Sequence, residues 1–293
     1  MHVTSPADKL HSQVPSAHLF SILAIELQSL QACEMATSSS AIQGSKELLQ
    51  GKVAIVTGAS NGIGVGIALE LAKAGVSVCL AARREEKLQS VKNQIEEVGG
   101  KSMYVKTDVT VRQQVKDLVK KTEEEFGAVD ILVNNAGVGY ITYMKNLHED
   151  AWEKMVDVNC KGVLNGIGAV LPGMIERQRG HIVNISSNAG RVAFPLLAVY
   201  TGSKFFVEGV SRSLRMEVKD QGIKVTCIQA GDVVTDFGDV SFDKEALEAY
   251  GVVDEKKCMK PEDIGRAIVY AVSQPQCVGV NEILIEPTQL PYV

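Results

Sequence analysis

The sequence predicts an α/β fold, with one doubly wound parallel sheet of seven strands and helices on both faces. Short β-branched runs alternate with longer amphipathic stretches from Gly51 onward. Most strand runs are apolar throughout, as expected when helices cover both faces of a sheet. No linker or repeat interrupts the alternation in the sequence. Residues 51–293 are therefore expected to form a single domain.

Seven segments have the composition of strands, and six stretches of helical length lie between them. The predicted strands are Val53–Thr57, Val76–Leu80, Ser102–Lys106, Val129–Val133, His181–Ser186, Lys224–Gln229 and Glu282–Ile285. The predicted helices are Gly62–Ala74, Arg84–Val98, Val111–Phe126, Glu149–Arg177, Val199–Gln221 and Pro261–Gln274. Right-handed crossovers then place the functional loops at the carboxyl ends of the strands.

Composition excludes several classes of protein. The 293 residues are 45% hydrophobic and 22% charged, with a net charge of -5, which is typical of a globular protein and argues against nucleic-acid binding. The six cysteines are widely separated and form no CxxC pair, so we expect free thiols, no metal site and a reducing compartment, the cytoplasm.

The first fifty residues differ from the rest of the chain, being rich in serine and lacking arginine. We expect residues 1–50 to be a poorly ordered extension. The apolar patch Leu19–Ile25 is too short for a membrane span, which needs roughly 20 residues. A targeting role for residues 1–34 stays open, as does a true start at Met35.

A glycine-rich loop between the first predicted strand and helix predicts nucleotide binding. Glycines let the backbone turn sharply beside a pyrophosphate, and the helix N-terminus attracts the anion. Loops of this kind also arise for packing alone, but the βαβ context favours the nucleotide. The candidate contacts are Gly58, Ser60, Asn61, Gly62, Ile63 and Gly64.

The loop spacing, Gly58-x3-Gly62-x-Gly64, resembles the TGxxxGxG turn of the short-chain dehydrogenase/reductase family, whose domain is a Rossmann fold. Residues 134–137 match its NNAG element, which adds Asn135, Ala136 and Gly137 to the cofactor contacts. Its catalytic residues correspond to Asn159, Ser187, Tyr200 and Lys204. The resemblance implies that Ser187 bonds the substrate oxygen, Lys204 the nicotinamide ribose, and Asn159 a water leading to solvent.

The four-residue spacing of Tyr200 and Lys204 stacks both side chains on one helix face. An ammonium group beside a phenol stabilises the phenolate, so we expect Lys204 to lower the pKa of Tyr200 from its usual value of about 10. Tyr200 then becomes a usable acid/base. An isolated Tyr-x-x-x-Lys would be an ordinary amphipathic helix. Ser186 rivals Ser187 but should face the other side of the strand.

The second predicted strand decides the cofactor. Where relatives that use NAD carry aspartate, this chain has Ala82, followed by Arg83 and Arg84. Arginine grips phosphate through a planar fork of donors, so NADP(H) is the expected cofactor, with Arg83 on its 2′-phosphate. Arg84 is expected to begin a solvated helix face. Asp108 resembles the family residue that contacts the adenine amino group.

The segment after the sixth strand resembles the PGxVxT element of the family, in which Thr235 approaches the nicotinamide carboxamide. Ala230 replaces the usual proline and loosens the backbone there. Residues 237–257 follow, where the family builds its substrate lid.

The overall pattern is closest to NADP-dependent 3-hydroxy acid dehydrogenases, which implies a small-molecule hydroxy substrate. A carbonyl reductase for steroids, retinoids or xenobiotics stays open, and so does a catalytically silent NADP(H) sensor or scaffold. The resemblance also implies a homodimer or homotetramer formed through the long helices that begin at Glu149 and Val199.

Overall fold

A computed structural model describes residues 47–290, which belong to one compact unit. Most of the predicted extension, residues 1–46, lies outside the described residues. No helix within 47–290 is long and apolar enough to cross a membrane.

All seven strands of the described chain are parallel and form one sheet in the order β3-β2-β1-β4-β5-β6-β7, which confirms the predicted fold. The strands are β1 Val53–Thr57, β2 Ser77–Ala82, β3 Ser102–Lys106, β4 Ile131–Asn134, β5 Gly180–Ile185, β6 Ile223–Ala230 and β7 Glu282–Ile285. The order reverses between β1 and β4. A crevice opens there at the carboxyl ends of the strands, where doubly wound sheets bind ligands.

From Gly62 to the end of the described residues, eight α-helices connect these strands. They are α1 Gly62–Lys73, α2 Glu85–Glu97, α3 Arg112–Phe126, α4 Glu149–Val156, α5 Gly162–Glu176, α6 Ala198–Glu217, α7 Lys244–Tyr250 and α8 Pro261–Val272. The single helix expected over Glu149–Arg177 is wrong. A π-helical segment, Asp157–Lys161, separates α4 from α5. Helix α7 was not predicted, because its seven residues are too few for a clear helical period.

Successive residues of β1 enter two different cores. Ala54 and Val56 pack in the layer beneath α1, α2 and α8, whereas Ile55 packs beneath α3, α5 and α6. All three are fully buried. Alternation of side chains across the sheet produces this division, and each large apolar residue buried contributes about 1.5–3 kcal/mol.

Glycines allow α1 and α8 to lie in close contact. A Cβ on Gly66 would lie 2.3 Å from the carbonyl carbon of Pro261, and one on Gly265 would lie 2.6 Å from the carbonyl oxygen of Gly66. Neither distance is possible for a real side chain, so both positions require glycine. The close packing of these two helices supports the first turn of α1, at the crevice.

Candidate active site

The glycine-rich loop runs from β1 to the start of α1. Gly58 and Gly62 have φ angles of +66° and +53°, in the left-handed region that favours glycine. A Cβ on Gly64 would lie 2.3 Å from the carbonyl oxygen of Gly58. Asn61, which precedes α1, makes no side-chain bond to the helix N-terminus. The first N–H groups of α1 thus form a site suited to phosphate.

The segment after β4 holds this loop in place. Asn135 donates through Nδ2 to the carbonyl oxygen of Thr57 at 2.9 Å. The Thr57 hydroxyl accepts from the N–H groups of Asn135 and Ala136, both at 3.0 Å. A Cβ on Gly58 would lie 2.8 Å from the Cα of Ala136. The two predicted motifs therefore meet because β1 and β4 are neighbours in the sheet.

The end of β2 brings both arginines to the same crevice. Arg84 is exposed at the start of α2, as expected, and it also donates from Nη2 to the hydroxyl of Ser60 in the glycine-rich loop at 3.2 Å. The positive charge of Arg83 affects the ionisation of Asp108. Burial raises the pKa of Asp108, but hydrogen bonds from Thr110 and the charges of Arg83 and Lys154 lower it overall. The bond from Arg84 to Ser60 could not be predicted from the sequence, because a strand end does not reveal side-chain direction.

Asn159 lies in the π-helical segment and is 1% exposed. Its Nδ2 donates to the carbonyl oxygen of Val138 at 2.9 Å and to the hydroxyl of Ser203 at 3.0 Å, and its Oδ1 accepts from the N–H of Val138. The Ser203 hydroxyl in turn donates to the carbonyl oxygen of Tyr200 at 2.7 Å. Asn159 thus joins the loop after β4 to α6. A π-bulge often marks a functional site.

Ser187 follows β5 and is 7% exposed. Its hydroxyl donates to Oδ1 of Asn188 and accepts from the N–H of Ala189, both at 3.1 Å. It also lies near enough to Tyr200 to favour a lower pKa of the phenol. The hydroxyl of Ser186 has no hydrogen-bond partner within 47–290. Ser187 is therefore the serine that meets the tyrosine.

Tyr200 and Lys204 lie one turn apart on α6. Nζ of Lys204 is 5.4 Å from the centre of the Tyr200 ring and donates to the carbonyl oxygen of Ile185 at 2.9 Å. Tyr200 is half-buried, whereas Lys204 is buried. The expected helix face is present, and it carries both groups to the end of β5.

Burial governs the ionisation of this pair. It raises the pKa of Tyr200 to about 12; the nearby Ser187 hydroxyl opposes this rise, and Tyr250 and Asp232 reinforce it. Burial also lowers the pKa of Lys204 to about 8. The expectation that Lys204 lowers the pKa of Tyr200 is therefore wrong for the protein without a ligand. Removal from water destabilises the phenolate by more than the neighbouring groups stabilise it.

The segment after β6 approaches the glycine-rich loop from the opposite side of the crevice. A Cβ on Gly62 would lie 2.9 Å from Cγ2 of Thr235. The next residue, Asp236, accepts a hydrogen bond from Nδ2 of Asn61. Ala230 is the last residue of β6 and pairs with β7, a place where proline would lack the N–H for a ladder bond.

The lid segment, residues 236–257, is fastened to the loop after β4. Oδ2 of Asp243 accepts from the N–H of Tyr143 at 3.0 Å, and both carboxylate oxygens accept from Nδ2 of Asn146. Phe237 packs edge-to-face on the Tyr200 ring with centroids 5.1 Å apart. A Cβ on Gly139 would lie 2.2 Å from the Phe237 ring, so glycine is required there. The lid therefore forms one wall beside the tyrosine.

One cavity of about 990 Å³ unites the site, and every predicted site residue except Asn159 lines it. Its lining includes Gly58, Ser60, Asn61, Gly62, Ile63, Gly64, Arg83, Asp108, Asn135, Ala136, Gly137, Ser187, Tyr200, Lys204 and Thr235. The cavity thus contains the N-terminus of α1, which is suited to phosphate, together with Arg83, Arg84 and Tyr200. The residues present fit a phosphorylated dinucleotide.

This combination of a doubly wound sheet, a nucleotide crevice and a hydroxyl pair defines a nucleotide-binding oxidoreductase. The chain belongs to the short-chain dehydrogenase family, whose model, described as short chain dehydrogenase, matches residues 52–246.

Relatives and solved structures agree with this assignment. The chain is 51% identical over 243 residues to a glycine betaine reductase of Emericella nidulans, covering 83% of this chain but only 19% of that protein. It is 40% identical to an uncharacterised oxidoreductase of Listeria monocytogenes, covering 83% of this chain and 99% of the relative. A serine dehydrogenase complexed with NADP+ superposes with a TM-score of 0.74 at 33% identity, covering 82% of this chain and 96% of the other.

Proposed function

We propose that this protein is an NADP(H)-dependent oxidoreductase that interconverts a secondary alcohol and a carbonyl compound. The observation that carries the proposal is the convergence of Ser187, Tyr200 and Lys204 in one cavity, with Tyr200 and Lys204 one turn apart on α6. Two hydroxyl groups so placed can bind a substrate oxygen and exchange a proton with it. NADP(H), when bound, supplies or accepts the hydride.

Tyr200 is the proposed general acid/base. In the oxidation direction it takes the alcohol proton while Ser187 donates to the same oxygen. Lys204, as an ammonium ion, offsets part of the cost of a buried phenolate and bonds the cofactor ribose. Asn159 holds α6 against the loop after β4. Because both Nδ2 hydrogens are engaged, any water leading from Lys204 to solvent would bond other atoms of Asn159.

The proposed NADP(H) contacts are distributed along the cavity. The glycine-rich loop, Gly58 to Gly64, takes the pyrophosphate at the N-terminus of α1. Arg83 and Arg84 take the 2′-phosphate, since Ala82 offers no carboxylate to repel it. The remaining proposed contacts are Asp108 on the adenine, Asn135, Ala136, Gly137, Tyr200 and Lys204 near the ribose, and Thr235 on the carboxamide.

The proposed substrate is a 3-hydroxy acid or a similarly small hydroxy compound. Support comes from two serine dehydrogenase structures, at 33% and 30% identity, because serine is itself a 3-hydroxy acid. Phe237 of the lid packs edge-to-face on the Tyr200 ring and so forms part of the wall beside the proposed reacting hydroxyl.

A second candidate is an aldehyde that carries a quaternary ammonium group. The relative at 51% identity is a glycine betaine reductase, and glycine betaine bears a trimethylammonium group. This chain spans only 19% of that protein, so only one step of its chemistry could correspond. Phe194, Tyr200 and Phe237 line the cavity, and aromatic faces attract quaternary ammonium ions.

One assay separates these candidates. NADPH or NADH oxidation is followed with 3-oxo acids, with (trimethylammonio)acetaldehyde beside its uncharged isostere 3,3-dimethylbutanal, and with a diketone and a steroid ketone. Tyr200→Phe should lose about 10²- to 10⁴-fold in kcat, whereas Tyr104→Phe, on β3, should not. NADPH binding without turnover of any compound would support the silent sensor, and full activity in Tyr200→Phe would refute the assignment.

We also propose a homodimer or homotetramer formed through the helices around the π-helical segment. Val156, Leu164 and Phe205 on α4, α5 and α6 are each more than 40% exposed, which is costly for large apolar side chains in water. Light scattering of the purified protein tests this. The parent protein should have the mass of a dimer or tetramer, and Phe205→Asp should have the mass of a monomer.

The proposed location is a reducing compartment, the cytoplasm. Cys79, Cys160 and Cys227 are buried free thiols within the described chain. Fractionation of cells producing the tagged protein tests the location directly.

A further inference from the structure

Glu208 is a buried acid on α6 that the proposed reaction does not use. It is 3% exposed and follows Lys204 by four residues, so both belong to the buried face of α6. A carboxylate removed from water costs several kcal/mol unless charges or hydrogen bonds offset that cost. The groups around Glu208 therefore indicate why it is tolerated.

The hydrogen bonds of Glu208 are few. Oε1 accepts from the thiol of Cys227 at 3.3 Å, which is a weak donor. Oε2 is buried and has no hydrogen bond within 47–290. Nη2 of Arg212 lies 3.7 Å from Oε2, but this guanidinium is 54% exposed and also pairs with Glu282 at 3.1 Å. These contacts leave much of the charge of Glu208 to act on other neighbours.

Glu208 also abuts the turn that follows Ser187. A Cβ on Gly190 would lie 3.1 Å from Cγ of Glu208 and 3.2 Å from the carbonyl oxygen of Lys204. The acid thus packs against the turn that follows the proposed substrate donor, and it belongs to the helix that carries the proposed base.

Lys204 has little else to stabilise its positive charge. Its hydrogen bond goes to the neutral carbonyl of Ile185. Burial lowers the pKa of Lys204 to about 8, and Cys227, Cys160 and Glu208 oppose that shift. Burial raises the pKa of the Cys160 thiol and brings that of Cys227 to about 12, so both stay neutral near pH 7. Among these groups Glu208, one helical turn from Lys204 on the same buried face of α6, is therefore the carboxylate.

We propose that Glu208 is a positioning residue that keeps Lys204 in its ammonium form, which the proposed proton transfer and ribose contact both require. The inference rests on the proposed function. Burial of Lys204 favours its neutral form, and the negative charge of Glu208, behind the site, favours the ammonium form.

The test is the pH profile of kcat/KM for carbonyl reduction by NADPH. In Glu208→Gln the alkaline limb should move to lower pH by on the order of one unit, because loss of a nearby opposite charge lets the ammonium lose its proton sooner. Glu217→Gln, the same change at an exposed position of α6, should keep the parent profile. Overlapping profiles for Glu208→Gln and the parent would overturn the proposal.

Two further variants separate charge from packing. Glu208→Met leaves no unpaired amide in the buried site and should move the limb as Glu208→Gln does, even if the glutamine variant fails to fold. Glu208→Asp keeps the charge and should restore the limb toward the parent. A limb that moves equally in the aspartate and methionine variants would show that packing, not charge, is responsible.

A second readout does not depend on turnover. The Kd of NADPH, followed by its fluorescence, should rise with pH as Lys204 loses its proton, and should rise at lower pH in Glu208→Gln. If the parent binds NADPH with this dependence but reduces nothing, the proposed reaction fails while the inference stands. If Kd changes at the same pH in both proteins, the inference fails.

Discussion

Arg84 and Ser60 are joined by hydrogen bonds of 3.2 and 3.4 Å from the guanidinium to the hydroxyl. The bonds connect the end of β2 with the glycine-rich loop, at the point where a 2′-phosphate would meet both. Arg84 is therefore oriented toward the phosphate position before any ligand binds, which reduces the entropy lost on binding.

Arg84→Ala should weaken NADPH binding by about 1.5–3 kcal/mol, roughly ten- to a hundredfold, and leave NADH binding nearly unchanged. The loss follows from removing a charge-assisted bond that only the 2′-phosphate can accept. KM values for both cofactors measure it, with the exposed Lys87→Ala as control. Arg83→Asp should reverse the preference toward NADH. Equal losses for the two cofactors would contradict the assignment.

Gly64→Ala should destabilise the protein by about 1–3 kcal/mol and abolish detectable NADPH binding. The added Cβ would lie 2.3 Å from the Gly58 carbonyl oxygen and 2.7 Å from Nδ2 of Asn135, so the loop must move. Gly168→Ala on α5 is the matched control, because its Cβ would meet nothing within 4 Å and should stabilise the helix by about 0.5–1 kcal/mol. Thermal unfolding and fluorescence titration report both effects.

His181 should make the fold sensitive to acid. Its Nε2 lies 2.7 Å from the Thr226 hydroxyl, which donates to the Val280 carbonyl, and its Nδ1 is buried without a partner in the described chain. Burial, aided by the charge of Lys224, lowers the pKa of His181 from 6.5 to about 3. A proton on Nδ1 would add a donor and a charge that nothing there accepts.

The sign follows from proton uptake. Between pH 6.5 and about 3 the unfolded chain binds the His181 proton and the folded chain does not, so stability is full above pH 6.5 and falls below it. At pH 5 the loss should reach about 2 kcal/mol at most. Urea unfolding of the parent and of His181→Gln at pH 7 and pH 5 measures the difference. Parallel behaviour of the two proteins would contradict the prediction.

Asp243→Asn should loosen the lid without altering cofactor affinity. One carboxylate oxygen becomes a donor facing the N–H groups of Tyr143 and Ala246 and the amide of Asn146, so at least one bond is lost. KM for the carbonyl substrate should rise several-fold while the Kd of NADPH stays constant. Limited proteolysis should cleave residues 236–257 sooner. Glu248→Gln, at an exposed position of α7 outside the cavity lining, is the control.

The hydrophobic pattern of the sequence predicted secondary structure well where the burial of side chains follows that pattern. The bounds of β1, β3 and β7 are those expected, because each is a short apolar or alternating run between turn residues. The predicted helix 149–177 was wrong, because its periodicity continues through the π-helical segment. There the side chain of Asn159 bonds Val138 and Ser203, contacts that no local pattern records.

Glu208, behind the site, is a second residue whose surroundings the local sequence pattern did not predict. Its position four residues after Lys204 is visible in the sequence, yet a glutamate at that spacing is ordinarily a solvated partner on a helix surface. Only the packing of β6 and the Gly190 turn against α6 buries it.

The sequence by itself determined the candidate site residues, since strand order, crossover handedness and motif spacing bring the carboxyl ends of β1, β4, β5 and β6 to one edge. The tertiary structure alone decided their ionisation and orientation: burial sets the pKa of Tyr200 and Lys204, and Arg84 bonds Ser60. The reason is physical. Spacing along a chain specifies neighbours, whereas desolvation depends on everything that packs around a group.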